Sequence, residues 1–301
     1  GEPQSGRGHV RRAAPWQHVV SVHQVETSMT EEVKTRLAAT VLLARDSEDG
    51  VELFMVVRHH EIDFASGAMV FPGGSVDAAD SDARLRDRID GAEGLSDADL
   101  SVRVAAAREA FEECGVLYAR HAGSGQWVSG TEAKRLGDAY RKPLEAGKLT
   151  LADVLVKEEL HLALDELQHF AHWVTPDNMP KRFDTHFFLA VAPDDHELLH
   201  DGTESVDSVW ITPAAACAAA DEGARTVIFT TRLNLEKIGE SATVAEALAR
   251  AAAEPVVCVR PVVEKAEGGR ILNIPAEAGY GAASFFVSGK PGQRAVIERR
   301  G

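Results

Sequence analysis

The stretch Arg108-Glu109-Ala110-Phe111-Glu112-Glu113-Cys114-Gly115-Val116 places three carboxylates and one guanidinium within six residues and closes on a glycine. Ahead of it, Ser96-x-x-Asp99 is a capping box that predicts a helix running to about Tyr118. On a helical wheel with Leu100 at zero, Val104, Ala107, Phe111 and Cys114 fall within about 40° of it and form one apolar stripe. Cys114 reads as a small core residue on that stripe. Glu109, Glu112 and Glu113 fall at about 180°, 120° and 220°, facing away from the core as one cluster with Arg108 beside them. Exposed, such a trio repels by only about 0.2–0.5 kcal/mol per pair, so a solvated face is tolerable. If the face is covered, like charges 4 Å apart repel by roughly 4 kcal/mol, and divalent cations are needed there. Hard oxygen donors of this kind suit magnesium or manganese.

Working outward, Thr35–Arg45 and Val51–His59 are rich in Val, Leu and Phe around the acidic break Asp46–Gly50, which predicts a hairpin. Ala68–Phe71 predicts a third strand that stops at Pro72-Gly73-Gly74, leaving backbone groups exposed as a site loop. Residues 75–96 show little apolar period, and a solvated loop is expected over Ala78–Asp99. On the C-terminal side, Thr131–Leu144 favours helix, and Thr150-x-x-Asp153 opens another to His161. Glu166–Thr175, Phe183–Ala192 and Val206–Thr212 read as strands, Pro213–Glu222 and Ala242–Ala253 as helices, and Val256–Val263 and Ile271–Ile274 as further strands. These parts predict one elaborated α/β domain.

Over 301 residues, 45% hydrophobic and 26% charged side chains exclude a disordered, collagen-like or disulfide-scaffold chain. The formal net charge of −15 repels polyanions, so no nucleic acid is expected as a partner. Cys114, Cys217 and Cys258 form no C-x-x-C pair, which argues against a disulfide framework or zinc knuckle and for a reducing cytoplasm. No apolar run approaches the roughly 20 residues that span a bilayer, so no membrane is expected as a partner either.

Gly73-Gly74, Asp80 and then Arg108-Glu109-x-x-Glu112-Glu113-x-Gly115 resemble the Nudix hydrolase box, G-x5-E-x7-R-E-U-x-E-E-x-G-U, with U bulky and apolar. The five fixed residues of the second half would arise by chance roughly once in 10⁴ chains. Asp80 stands where the family has Glu, Ala110 where it has a larger apolar residue, and residues 81–107 number 27 instead of 7. The same split box occurs in a coenzyme A diphosphatase branch of the family. Arg58, the run Gly67–Asp80, Trp173-Val-Thr-Pro176, Arg182–Ala190 and Trp210-Ile-Thr-Pro213 resemble that branch in order and spacing, over about residues 36–275.

The resemblance implies a Nudix fold, a mixed β-sheet sandwiched between helices, over residues 31–275. Insertions are expected at about 81–100 within the box and at 130–162, with a flexible segment 1–30 ahead and an extension 276–301 behind. It implies metal-dependent hydrolysis of a nucleoside diphosphate linked to another moiety, with coenzyme A or acyl-CoA as first-choice substrate. The products would be 3′,5′-ADP and (acyl-)phosphopantetheine. ADP-ribose or dinucleotide cleavage, or a nucleotide-sensing module without turnover, are the alternatives. Glu109, Glu112 and Glu113, with the Gly74 carbonyl, would hold Mg²⁺ or Mn²⁺, and Arg108 would orient a glutamate. Arg58, Arg182 and Asp184 are expected to bind substrate. The general base stays open among Glu158, Glu159, Asp165, Glu166 and Asp177. His59, His60, His169, His172 and His186 show no zinc spacing and read as structural. Trp173 and Trp210 are expected in the core. The chain ends Glu298-Arg-Arg-Gly301, no peroxisomal tripeptide, and is compatible with a homo-oligomer.

Overall fold

The β1 strand (Arg36–Ser47) turns at Glu48-Asp49 into β2 (Gly50–Arg58), with Gly50 in the left-handed region at φ 103 and Ser47 Oγ donating to the Gly50 carbonyl at 2.9 Å. The computed structural model describes residues 34–58, 67–177, 179–200, 205–289 and 296–300. The segment 1–30, His59 and His60 lie outside the described residues. In chain order there follow β3 (Met69–Val70), β4 (Gly73–Ser75), β5 (Ile89–Asp90), α1 (Asp97–Cys114), β6 (Ala119–His121), α2 (Gly130–Glu145), α3 (Leu151–Lys157) and β7 (Leu160–Ala163). Then come β8 (Gln168–Val174), β9 (Phe183–Val191), β10 (Ser205–Ile211), α4 (Pro213–Asp221), α5 (Phe229–Ile238) and α6 (Val244–Ala253). The last strands are β11 (Cys258–Val259), β12 (Val262–Ala266), β13 (Gly269–Asn273), β14 (Ser284–Ser288) and β15 (Ile297–Arg300).

The main sheet runs β10-β2-β1-β9-β8-β11, with β3 beside β2 and β4 beside β1. It is mixed: β1 lies parallel to β9 but antiparallel to β2 and β4. The two-residue side-chain period splits each central strand between two cores. Ala39, Val41 and Leu43 of β1 join Phe54, Phe188 and α1 on one face, together with residues of α2 and α3. Leu42, Ala44, Met55 and Leu189 join α4, α5 and α6 on the other. The expected sandwich of a mixed sheet between helices is thus the architecture found, and the chain has the fold class read from its sequence.

Four local expectations are corrected. The α1 helix ends at Cys114 and does not reach Tyr118, because Gly115 takes a left-handed φ of 76 and its N–H returns to the Phe111 carbonyl at 3.0 Å. The helix after Thr150 stops at Lys157, since Glu159 adopts a positive φ of 53, and Leu160–Ala163 is a strand. Gly73 and Gly74 do not interrupt the sheet but form β4. The segment between Asp80 and Arg108 is no solvated loop: Leu85 is buried in the α1-side core, and β5 pairs with β7 in a second sheet, β5-β7-β6. Arg84 bridges to Asp153 at 2.8 Å, so this segment packs on the helical stretch beginning at Gly130. The α5 helix carried no signal in the sequence. Its N-cap, Ile228, makes no side-chain cap, and Thr230 and Thr231 disfavour helix locally.

Of the extension, Ala278, Tyr280 and Phe285 belong to the second core. Phe285 is fully buried, and the Tyr280 hydroxyl accepts from Trp173 Nε1 and donates to Asn234 Oδ1, both at 2.8 Å. Trp173 is a core residue, as expected, whereas Trp210 is half-buried beside Phe54 under the Arg45 guanidinium. Tyr280→Phe strands the indole N–H and the Asn234 carbonyl, and is expected to cost about 1–3 kcal/mol in urea unfolding. A wild-type midpoint would show that the extension is dispensable to this core.

Candidate active site

The site is assembled where α1 crosses β4. In the register of β4 on β1, Thr40 faces Gly73, Ala39 faces Gly74 and Ala38 faces Ser75. The Val41 N–H donates to the Pro72 carbonyl and the Val76 N–H to the Leu37 carbonyl, each at 2.9 Å. Antiparallel alternation then makes Ala39 and Gly74 the ladder-bonded pair and turns the N–H and C=O groups of Gly73 and Ser75 away from β1, toward the helix. Accordingly the Gly73 N–H donates to Glu113 Oε2 at 3.0 Å, and the Ser75 carbonyl accepts from Arg108 Nη2 at 2.9 Å.

Close approach of backbone requires a glycine at Gly73, and the Glu109 carboxylate presses on Gly74. A Cβ on Gly73 would lie 2.7 Å from Thr40 Cα, and one on Gly74 would lie 2.6 Å from Glu109 Cδ. Gly74→Ala is expected to push the Glu109 carboxylate off β4 and to destabilise the fold by about 1–3 kcal/mol. An unchanged urea midpoint would mean that Glu109 does not press on this strand.

Arg108 organises the carboxylates. Its Nε donates to Asp80 Oδ1 at 2.9 Å, and Nη2 to Asp80 Oδ2 at 3.1 Å. Nη1 donates to Glu109 Oε1 at 2.8 Å and Glu112 Oε2 at 3.0 Å. With the Ser75 carbonyl, all five guanidinium donors have an acceptor. Burial works against the Arg108 charge, but the hydrogen bonds to Asp80 and the charges of Glu109, Asp80 and Glu112 outweigh it and raise its pKa. Burial raises the Glu112 pKa, against the opposing pull of Arg108. Asp80 also accepts from the Asp77 N–H at 2.8 Å, tying the turn after β4 to the helix.

Of the two readings of this helix face, solvated or covered, the structure has the covered one. Asp80 is 2% exposed, and Glu109, Glu112 and Glu113 are 8–9% exposed. Three carboxylates, Asp80, Glu109 and Glu112, gather about one guanidinium, and Glu113 joins them on the Gly73 N–H, an oxygen-only donor set whose hardness fits a divalent cation of the magnesium class. Gly74, Arg108, Glu109, Glu112 and Glu113 come together as expected, and Asp80 joins them.

Among the described residues, the other candidates have partners of their own or none. Arg58 ends β2, and its Nε is buried without a hydrogen-bond partner among the described residues. Arg182, just before β9, pairs with Asp177 and donates to the Thr175 carbonyl. Among the candidate bases, Glu158 pairs with Arg135 at 2.8 Å, and Asp165 and Glu166 pair with Arg120 at 2.8 and 2.9 Å.

Asp184 belongs to a histidine cluster that sequence spacing did not reveal. His172 of β8 and His186 of β9 are directly opposite, with rings stacked at 4.0 Å and 17°. Asp184 Oδ1 lies 2.5 Å from His172 Nε2 and 3.8 Å from His186 Nε2. His186 Nδ1 is 3.1 Å from His169 Nε2. Burial, helped by the neighbouring His186, depresses the His169 pKa to about 4, and burial lowers that of His186 as well. Only the alternation Asp184-x-His186 was visible in the sequence; the register that adds His172 was not.

The NUDT19 Nudix domain family matches residues 85–224. A curated relative, putative nudix hydrolase 7 of Caenorhabditis elegans, is 30% identical over 181 residues, 59% of this chain. The chain spans about half of that relative, 52% of its length. The crystal structure of a NUDIX hydrolase from Alicyclobacillus acidocaldarius superposes with a TM-score of 0.60 at 26% identity, covering 72% of this chain and 96% of the other. Over residues 85–224 the chain is similar to the NUDT19 Nudix domain family, and its architecture is the fold of a Nudix hydrolase.

Proposed function

We propose that the chain hydrolyses the diphosphate linkage of a nucleoside diphosphate derivative with magnesium or manganese, and that coenzyme A or an acyl-CoA is its first-choice substrate. The observation that carries the reading is the meeting of Glu109 and Glu113 with the glycine strand, and of Glu109 and Glu112 with a fully hydrogen-bonded Arg108. Glu109, Glu112 and Glu113 would hold the cations. The Gly73 carbonyl, turned toward α1 by the register, is better aimed to assist them than Gly74, whose carbonyl serves the β1 ladder. Bound cations supply Lewis-acid neutralisation of charge at phosphorus. Arg108 fixes the rotamers of Glu109 and Glu112 without spending a donor on substrate, because Asp80 and Ser75 take its remaining N–H groups.

The split box and the downstream Trp173–Pro176, Arg182–Ala190 and Trp210–Pro213 segments support the coenzyme A preference. Incubation with coenzyme A and Mg²⁺ is expected to release 3′,5′-ADP and phosphopantetheine, and a chelator to stop it. ADP-ribose and dinucleotides in the same panel separate the alternative substrates. Tight nucleotide binding by calorimetry without any product, with either metal, would overturn hydrolysis in favour of a sensing module.

A further inference from the structure

We propose that His172, Asp184 and His186 form a second metal site, selective for a zinc-class transition ion over magnesium. The candidate ligand atoms all lie within 4.8 Å of one another. Two imidazoles and one carboxylate are a borderline-soft donor set that suits zinc, cobalt or nickel, unlike the oxygen-only cluster on α1. The strands hold these donors in place. His172 and His186 are cross-strand partners, and Asp184 precedes His186 by two residues, which puts it on the same face of β9.

The surroundings of His186 fit ligation. His186 Nδ1 lies within hydrogen-bond reach of His169 Nε2, and when Nδ1 is the donor the ring presents an unprotonated Nε2 toward Asp184. This is the tautomer a metal requires, held by a hydrogen bond on the far nitrogen. The side chains are 20%, 36% and 17% exposed for His172, Asp184 and His186, so an ion can enter and a fourth position stays open to solvent or substrate.

The site neighbours the glutamates without sharing a ligand with them. Gly74, Ala39, His186 and His172 occupy successive positions across β4, β1, β9 and β8. His186 alternates with Phe188 and Ala190 toward the α1-side core, so it lies on the face of the sheet that α1 covers. Two strand spacings, about 10 Å, separate it from Gly74. The inference does not depend on the diphosphatase reading.

The test is a Co²⁺ titration of the demetallated full chain in excess Mg²⁺, followed by visible absorption. One equivalent should give ligand-field bands that Zn²⁺ abolishes. The bands should persist in Glu112→Gln/Glu113→Gln, which separates this site from the glutamate cluster. Affinity should fall at least about tenfold in His186→Gln or, if that variant does not fold, in Asp184→Asn. In the wild-type protein, Zn²⁺ should shift the Nε2 resonances of two ¹⁵N-labelled histidines. Absent bands, unshifted imidazoles, or undiminished affinity in a folded variant would overturn the proposal.

Discussion

Arg108→Met is expected to destabilise the fold by about 3–5 kcal/mol, the range for removing one partner of a buried ion pair. The guanidinium is the hub of Asp80, Glu109, Glu112 and the Ser75 carbonyl, and its removal leaves carboxylates crowded in a pocket that water barely reaches. Methionine fills the volume, so the loss reports charge and hydrogen bonding more than a cavity. Arg108→Lys keeps the charge but has three donors in no fixed plane. It cannot hold Asp80 bidentately while reaching both glutamates, and should recover only part of the loss. Burial already holds Glu112 above the usual carboxylate range, and Arg108 supplies the opposing pull. In Arg108→Met the folded state therefore favours protonated carboxylates more strongly, so its deficit should be largest at neutral pH and shrink on acidification. Urea midpoints between pH 5 and 8 read this directly. A pH-independent deficit would mean that the carboxylates are not what Arg108 restrains.

The second large effect separates activity from stability. Glu112→Gln/Glu113→Gln keeps the shapes and the acceptor oxygens, so Arg108 Nη1 and the Gly73 N–H retain partners. It removes two negative charges from a crowded cluster, and stability should be unchanged or slightly higher. Hydrolysis should fall by at least about 10³-fold, because each contact that stabilises transition-state charge is worth roughly 10²–10³ in rate. A protein that loses turnover while holding its melting temperature uses these glutamates for chemistry. Full activity in the double variant would remove them from the reaction.

Much of this was legible in the sequence where the physics is local. The Ser96 cap, the apolar stripe through Phe111 and Cys114 and the β1–β2 turn each follow from residues a few positions apart. The exposure of the glutamates was not legible, since a helical wheel shows which side chains share a face but not what covers it. The cover is β4, whose two glycines read as a chain break, although their lack of side chains is what admits Glu109 and Thr40 so closely. Asp80 was obscured by the 27 residues that separate it from Arg108. The histidine cluster depends on the β8–β9 register, which contains an irregularity between His169 and Ala171 that strand periodicity alone would misplace.

The central claim is that the α1 carboxylates hold divalent cations against the glycine strand. Crystals soaked in Mn²⁺ and read by anomalous scattering test it most directly. Manganese peaks are expected bounded by Glu109, Glu112 and Glu113, beside Gly73. Manganese absent from that position at saturating concentration, while bound elsewhere on the chain, would contradict it.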